Sequence, residues 1–207
     1  MNDKKRGLII FDLDGVLIDS EKNMEHAWNL TSTKIHEKIK FKYYRRFVGL
    51  GFFQILKKLG IKKKKFQKAF FYYNKYSNLY INKIRLFPGI KNEINKVKKN
   101  YNIALFTSKN KKRVRNILSK FQIKFEKIVT LDDVVKPKPS PEGLFKIIKV
   151  YPYNKNKIFY LGDTNHDFIA AKKSKIKFLH CNWGFFKPNN KKIKCLKKIS
   201  DISKTFI

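Results

Sequence analysis

The chain has 207 residues, 43% of them hydrophobic, enough for one substantial core and a small accessory unit. No run of about 18 apolar residues is present, which speaks against a membrane-spanning helix and predicts a soluble, unexported, cytoplasmic protein. The net charge of +34 would suggest a polyanionic partner, yet 43 of the 49 basic residues are Lys, accompanied by abundant Asn, Ile, Phe and Tyr, so A+T-rich coding accounts for the excess without a specific nucleic acid or a membrane.

In chain order, the first predicted element is a buried strand from Gly7 to Asp12. It runs into Asp12-Leu13-Asp14-Gly15-Val16, two carboxylates two positions apart at the end of a strand, where an α/β fold gathers its chemistry. Gly15 predicts a turn that swings the Asp14 carboxylate aside. Read alone, the pair is equally compatible with an acidic surface turn.

From Ser20 to Leu86 the strand signal stops and helical periodicity replaces it. Met24, Ala27, Trp28 and Leu30 form one apolar face, Phe47, Val48, Ile55, Leu56 and Leu59 a second, and the aromatic stretch from Phe66 to Ile81 a third. Arg45 and Arg46 stand out because Arg is scarce here; they are candidates to reach a substrate group when this block closes. Lys62-Lys63-Lys64-Lys65 reads as solvated surface. Hinges are expected near Ile18 to Ser20 and at Phe87-Pro88-Gly89.

Beyond the second hinge, strands and helices alternate, which predicts a parallel sheet. Strands are expected at Ile103 to Thr107, Lys127 to Thr130, Ile158 to Leu161 and Lys177 to Cys181. Thr107, with Ser108 and Lys109 after it, ends an apolar run, and a hydroxyl there can hold a phosphoryl oxygen. Lys138, in Lys138-Pro139-Ser140-Pro141-Glu142-Gly143, can neutralise a phosphate and a carboxylate, with Lys136 the competing lysine. Gly162-Asp163-Thr164-Asn165-His166-Asp167 brings two more carboxylates, and converging carboxylate oxygens suit Mg²⁺. Cys181 and Cys195 show no metal-ligand pattern, His26, His36 and His180 are assigned no role, and His166, inside the last acidic loop, reads as a solvated neighbour of that site rather than a catalyst.

Taken in order, DLDGV, Thr107, Lys138 in KPSPEG and GDTNHD resemble the four motifs of the haloacid dehalogenase superfamily. The likeness runs from about Leu8 to Phe185 and falls in the small-helical-cap phosphatase branch, similar to phosphoglycolate phosphatases. It implies an α/β, Rossmann-like three-layer core with a five-stranded parallel sheet, residues 1–19 and 87–207, and a helical cap of residues 20–86 inserted after the first strand. The first strand would be central. The implied activity is Mg²⁺-dependent hydrolysis of a small soluble phosphate monoester by a monomer or homodimer. Asp12 would be the nucleophile that forms an aspartyl-phosphate, and Asp14 the acid and base, its main-chain carbonyl also a metal ligand. Thr107, Ser108 and Lys138 would bind phosphate. Asp12, Asp14 and Asp163 would hold the metal, with Asp167 in an outer position. Two other readings are a sugar-phosphate mutase of the same fold and a non-enzymatic basic binding protein. Against the mutase, Met24 stands where such enzymes carry a histidine, and Phe52, shortly after Gly49, where they carry an arginine.

Overall fold

The computed structural model describes residues 5–188 and 192–207. In chain order the elements are β1 (Leu8–Phe11), β2 (Ile18–Asp19), α1 (Glu21–Lys34), α2 (Phe41–Arg45), α3 (Phe52–Lys58), α4 (Phe66–Leu79), β3 (Arg85–Leu86), α5 (Ile90–Lys98) and β4 (Asn102–Phe106). They continue with α6 (Lys111–Phe121), β5 (Lys127–Val129), α7 (Glu142–Ile148), β6 (Ile158–Gly162), α8 (Asn165–Ser174), β7 (Lys177–Cys181), β8 (Cys195–Leu196) and α9 (Asp201–Phe206).

The central strand is an unbroken apolar run because both of its faces are covered. Leu8, Ile9, Ile10 and Phe11 are all fully buried. Ile9 and Phe11 join the cluster built with Ile90, Ile94 and Val97 of α5, Val114 and Ile117 of α6, and Ile202 and Phe206 of α9. Leu8 and Ile10 point the other way, into a cluster with Leu144 and Ile147 of α7 and Ala170 and Ala171 of α8. The two-residue period of the strand thus builds a three-layer α/β/α sandwich.

Among the described residues the main sheet is wholly parallel, with order β5-β4-β1-β6-β7-β8. β1 is central, and the chain winds outward from it in both directions, so the ends of β1, β4 and β6 meet at the point where the winding reverses. The sheet has six strands rather than the expected five. The sixth, Cys195–Leu196, is held by main-chain bonds from His180 N to Lys194 O (2.9 Å) and from Asn182 N to Leu196 O (3.0 Å). Two residues amid lysines carry no alternation, so pairing with β7 alone makes this segment a strand.

Helices α1 to α4 have an apolar cluster of their own, centred on Trp28, Tyr44, Leu56, Ala69 and Tyr73. Trp28 stacks on Tyr44 with ring centroids 4.5 Å apart, and Tyr44 on Tyr73 at 5.7 Å. Met24, Ala27 and Trp28 are buried as their spacing predicts, whereas Leu30 and Phe71 face solvent. The chain enters and leaves this helical block through β2 and β3, which pair antiparallel with Ile18 opposite Leu86 and Asp19 opposite Arg85. Phe87 N also donates to Leu17 O at 3.1 Å. The two crossings are therefore tied together at the points where the sequence suggests hinges.

Candidate active site

Asp12 follows β1 directly and is 4% exposed. Lys138, brought over by the segment before α7, sets its Nζ 2.8 Å from Asp12 Oδ1 and 2.8 Å from Asp167 Oδ1. The same ammonium donates to Phe106 O at 3.1 Å, and it lies over the rings of Phe106 and Tyr160. These contacts identify Lys138, not Lys136, as the inward-facing lysine of its loop. Asp12, Asp163 and Asp167 offer carboxylate oxygens that all lie within 4.8 Å of one another.

Asp167 is held by the N-terminus of α8. Thr164 caps that helix, accepting from Asp167 N at 3.2 Å, while Asp167 Oδ2 accepts from Thr164 N (3.1 Å) and Thr164 Oγ1 (2.6 Å). Its other oxygen takes Tyr160 Oη–H at 2.6 Å as well as Lys138. Hydrogen bonds and the lysine overcome burial and hold its carboxyl below the usual range. Asp163 is in the opposite condition. Its Oδ2 accepts from Phe185 N at 2.7 Å, but its buried Oδ1 has no partner. Burial, with Asp167 and Asp12 nearby, pushes its pKa up. Asp12 is likewise pushed up to about 7 by burial, against the pull of Lys138.

Charge counting explains the asymmetry: three buried carboxylates face a single buried ammonium, so full ionisation would leave two negative charges over, and Asp163 and Asp12 hold on to protons instead. A divalent cation would balance that excess, and an all-oxygen donor set with one orphaned oxygen fits Mg²⁺. Asp12 and Asp163 have capacity for it, whereas Asp167 is already saturated by hydrogen-bond donors and suits an outer position. Close backbone packing shapes the cradle. A Cβ on Gly15, which has φ +73°, would run into the Asp163 carboxylate.

The Asp14 side chain lies outside this cluster. The strand ends at Phe11, the turn at Gly15 follows, and the Asp14 carboxylate turns to Lys109 Nζ at 2.9 Å and to Ser20 Oγ. Asp12 and Asp14 thus share a loop but not a partner, and both line a cavity between the sheet ends and the helical block. Ser108 and Lys109 line it as well, while Thr107 just before them is buried, its Oγ1 accepting from Lys109 N at 3.2 Å. Ser108 Oγ donates across the cavity to Gly49 O at 2.7 Å.

The structure does not bring Arg45 and Arg46 into this cavity. Arg45 pairs with Glu21, donates to Phe185 O at 3.0 Å and lies over the Phe186 ring. Arg46 is exposed and stacks on Tyr43 at 5.4 Å. The arginine that does line the cavity is Arg113 of α6, which sequence reasoning passed over. Its rarity in a lysine-dominated chain was an available signal, masked by its place in the basic run Lys111-Lys112-Arg113.

Comparison with known proteins agrees with this arrangement. The family model for haloacid dehalogenase-like hydrolases matches residues 9–181. The chain is 27% identical over 194 residues to a phosphoglycolate phosphatase of Aquifex aeolicus (strain VF5), covering 88% of each. It is 24% identical over 184 residues to the pyrophosphatase PpaX of Bacillus cereus (strain Q1), covering 86% of this chain and 84% of that one. Its fold matches that of a haloacid dehalogenase-like family hydrolase from Streptococcus pneumoniae with a TM-score of 0.83 at 21% identity, over 97% of this chain and 98% of that chain. The chain belongs to the haloacid dehalogenase-like hydrolase family.

Proposed function

We propose that this haloacid dehalogenase-like hydrolase is a Mg²⁺-dependent phosphatase that hydrolyses a small phosphorylated metabolite through a phosphorylated Asp12. The observation that carries the reading is Lys138 Nζ at 2.8 Å from both Asp12 and Asp167, inside a cluster of three carboxyl groups that one ammonium cannot balance when all are ionised. The names of the two relatives, a phosphoglycolate phosphatase and a pyrophosphatase, support the same chemistry.

Asp12 attacks phosphorus, and the ester oxygen departs as Asp14, facing the cavity beside Lys109, delivers its proton. Asp14 then takes a proton from the water that cleaves the aspartyl-phosphate. Lys138 holds Asp12 in place and neutralises charge on the phosphoryl oxygens, while Thr107 and Ser108 supply hydroxyl and backbone donors to the same group. Mg²⁺, held by Asp12, Asp163 and the Asp14 carbonyl, would supply charge neutralisation at the phosphoryl group. Residues 20–86 act as a cap that excludes water, and Ser108 to Gly49 is one contact that holds it shut. Met24 and Phe52 present apolar side chains to the cavity, which favours hydrolysis over the mutase reading.

The test is a screen of phosphorylated metabolites, phosphoglycolate and pyrophosphate among them, with released phosphate as the readout, in Mg²⁺ and in excess chelator. Turnover that needs Mg²⁺ is the expected result. Release undiminished by chelator, or none from any substrate, overturns the reading.

A further inference from the structure

Arg113 is 4% exposed, and no carboxylate among the described residues lies within ion-pair distance of it. Its amino groups donate to Ser77 Oγ of α4 and Asn23 Oδ1 of α1, both neutral, and its Nε has no partner. Asp14, a carboxylate of the same cavity whose charge reaches Arg113, is already paired with Lys109. A buried guanidinium without a counter-charge is expensive, and as a mere fastener between α6 and the helical block it is poorly chosen, since a neutral amide would make the same two hydrogen bonds. A planar guanidinium that keeps its full charge and still has N–H donors left, Nε–H among them, suits a carboxylate or phosphate instead.

Its position gives the missing anion a place. Arg113, Asp12 and Asp14 line one cavity, with Lys109 between them, close enough to feel the charge of all three. Asp12 marks the sheet end of that cavity, and Arg113, bonded to α1 and α4, marks the side under the helical block. We propose that Arg113 binds a second anionic group of the substrate, a carboxylate or a phosphate, carried on the side away from the phosphoryl group that Asp12 attacks. The preferred substrates are then small molecules with anions at both ends, and binding one of them fastens the helical block over the site. This rests on the phosphatase reading for the Asp12 end alone.

Calorimetric binding in Mg²⁺ tests it without turnover. Methylphosphonate offers one anion, phosphonoacetate adds a carboxylate, and methylenediphosphonate adds a phosphonate. At least one of the doubly anionic probes should bind the wild type more than tenfold tighter than methylphosphonate, and which one identifies the second group. In Arg113→Gln that advantage should fall by roughly tenfold to a hundredfold, the usual worth of a charge-assisted hydrogen bond. Methylphosphonate binding should stay within about threefold. Arg113→Lys, which keeps the charge and guards against a folding failure, should fall between the two. Equal weakening for all three probes, or no advantage in the wild type, overturns the proposal. Absence of phosphate release from every substrate bears on the phosphatase reading only, because the binding ratios are measured independently.

Discussion

Lys109 Nζ stands 2.9 Å from Asp14 Oδ1, with the lysine side chain only 10% exposed. Asp14 lies two positions after Asp12, yet it is paired with a different cation: Asp12 with Lys138 in the closed cluster, Asp14 with Lys109 at the cavity wall. The proposed division of labour, Asp12 as nucleophile and Asp14 as acid and base, uses these two different pairings.

Asp12→Asn is expected to abolish turnover of every substrate, whereas Asp14→Asn should cost roughly 10²- to 10⁴-fold. With an aryl phosphate, whose leaving group needs little protonation, rapid mixing of the Asp14→Asn protein should show a burst of aryl alcohol near one equivalent and slow phosphate release. Simultaneous appearance of both products would falsify the division of roles.

Asp163→Asn removes one of three mutually repelling carboxylates and an orphaned buried oxygen. Without metal, the variant should melt higher than the wild type by a few degrees, about what 1 kcal/mol gives in a chain of this size. Adding Mg²⁺ should raise the wild-type melting temperature and leave that of the variant unmoved. Equal Mg²⁺ stabilisation of both proteins would place the cation elsewhere.

Gly49, at φ +100°, sits with the site of a would-be Cβ 2.9 Å from Thr164 Cγ2, the residue that caps the helix carrying Asp167. Gly49→Val should lower kcat/KM by more than tenfold and reduce thermal stability. Ser108→Ala loses the hydroxyl's bond to Gly49 O, worth about 1 kcal/mol, but keeps the backbone N–H proposed for the phosphoryl group, and should be milder. Wild-type kinetics in Gly49→Val would show that this loop does not touch the site in solution.

Arg45 reaches Glu21 and the Phe185 carbonyl, and the N–H of the same residue, Phe185, donates to Asp163. Arg45→Ala should therefore reduce kcat/KM for all substrates by a similar factor, and Arg46→Ala should change little. A loss confined to the best substrate would restore Arg45 as a specificity residue.

Glu93 joins α5 to α9 by accepting from Ser203 N at 2.8 Å, and it pairs with Lys96 at 2.8 Å. Burial resists its ionisation, but the bonds from Lys96 and Ser203 prevail and lower its pKa below 4.5. A carboxylate whose pKa is lower in the folded than in the unfolded chain stabilises the fold above the unfolded pKa and loses that contribution as pH falls through the folded one. Glu93→Gln should thus melt below the wild type at pH 7, with the gap closing below about pH 4. A gap independent of pH would assign the effect to packing.

Much of the fold was legible because a parallel sheet buried on both faces writes itself as apolar runs. Leu8-Ile9-Ile10-Phe11, Ile103-Ala104-Leu105-Phe106 and Ile158-Phe159-Tyr160-Leu161 could be placed without coordinates, as could the turn residues that end them. The pair β2 and β3 and the strand β8 could not, since two residues hold no period and only the partner strand makes them extended.

Asp12, Asp14, Lys138, Asp163 and Asp167 were nameable in advance because each stands at a strand end or in a short motif, a one-dimensional feature. Which arginine faces the cavity is a different kind of fact. Arg45 and Arg46 were singled out by scarcity, and scarcity cannot tell a guanidinium drawn to Glu21 and Phe185 from one drawn under two helices. Arg113 looks like surface charge within Lys111-Lys112-Arg113, and it is buried only because Asn23, 90 residues earlier, and Ser77, 36 earlier, are packed over it. Local pattern is enough to place the layers of the core and the carboxylates and lysine near the strand ends, because runs and short motifs are read along the chain. The counter-charges, the orphaned Asp163 oxygen and the unpaired Arg113 were decided by tertiary structure alone, because burial and pairing are set by residues far away in the chain.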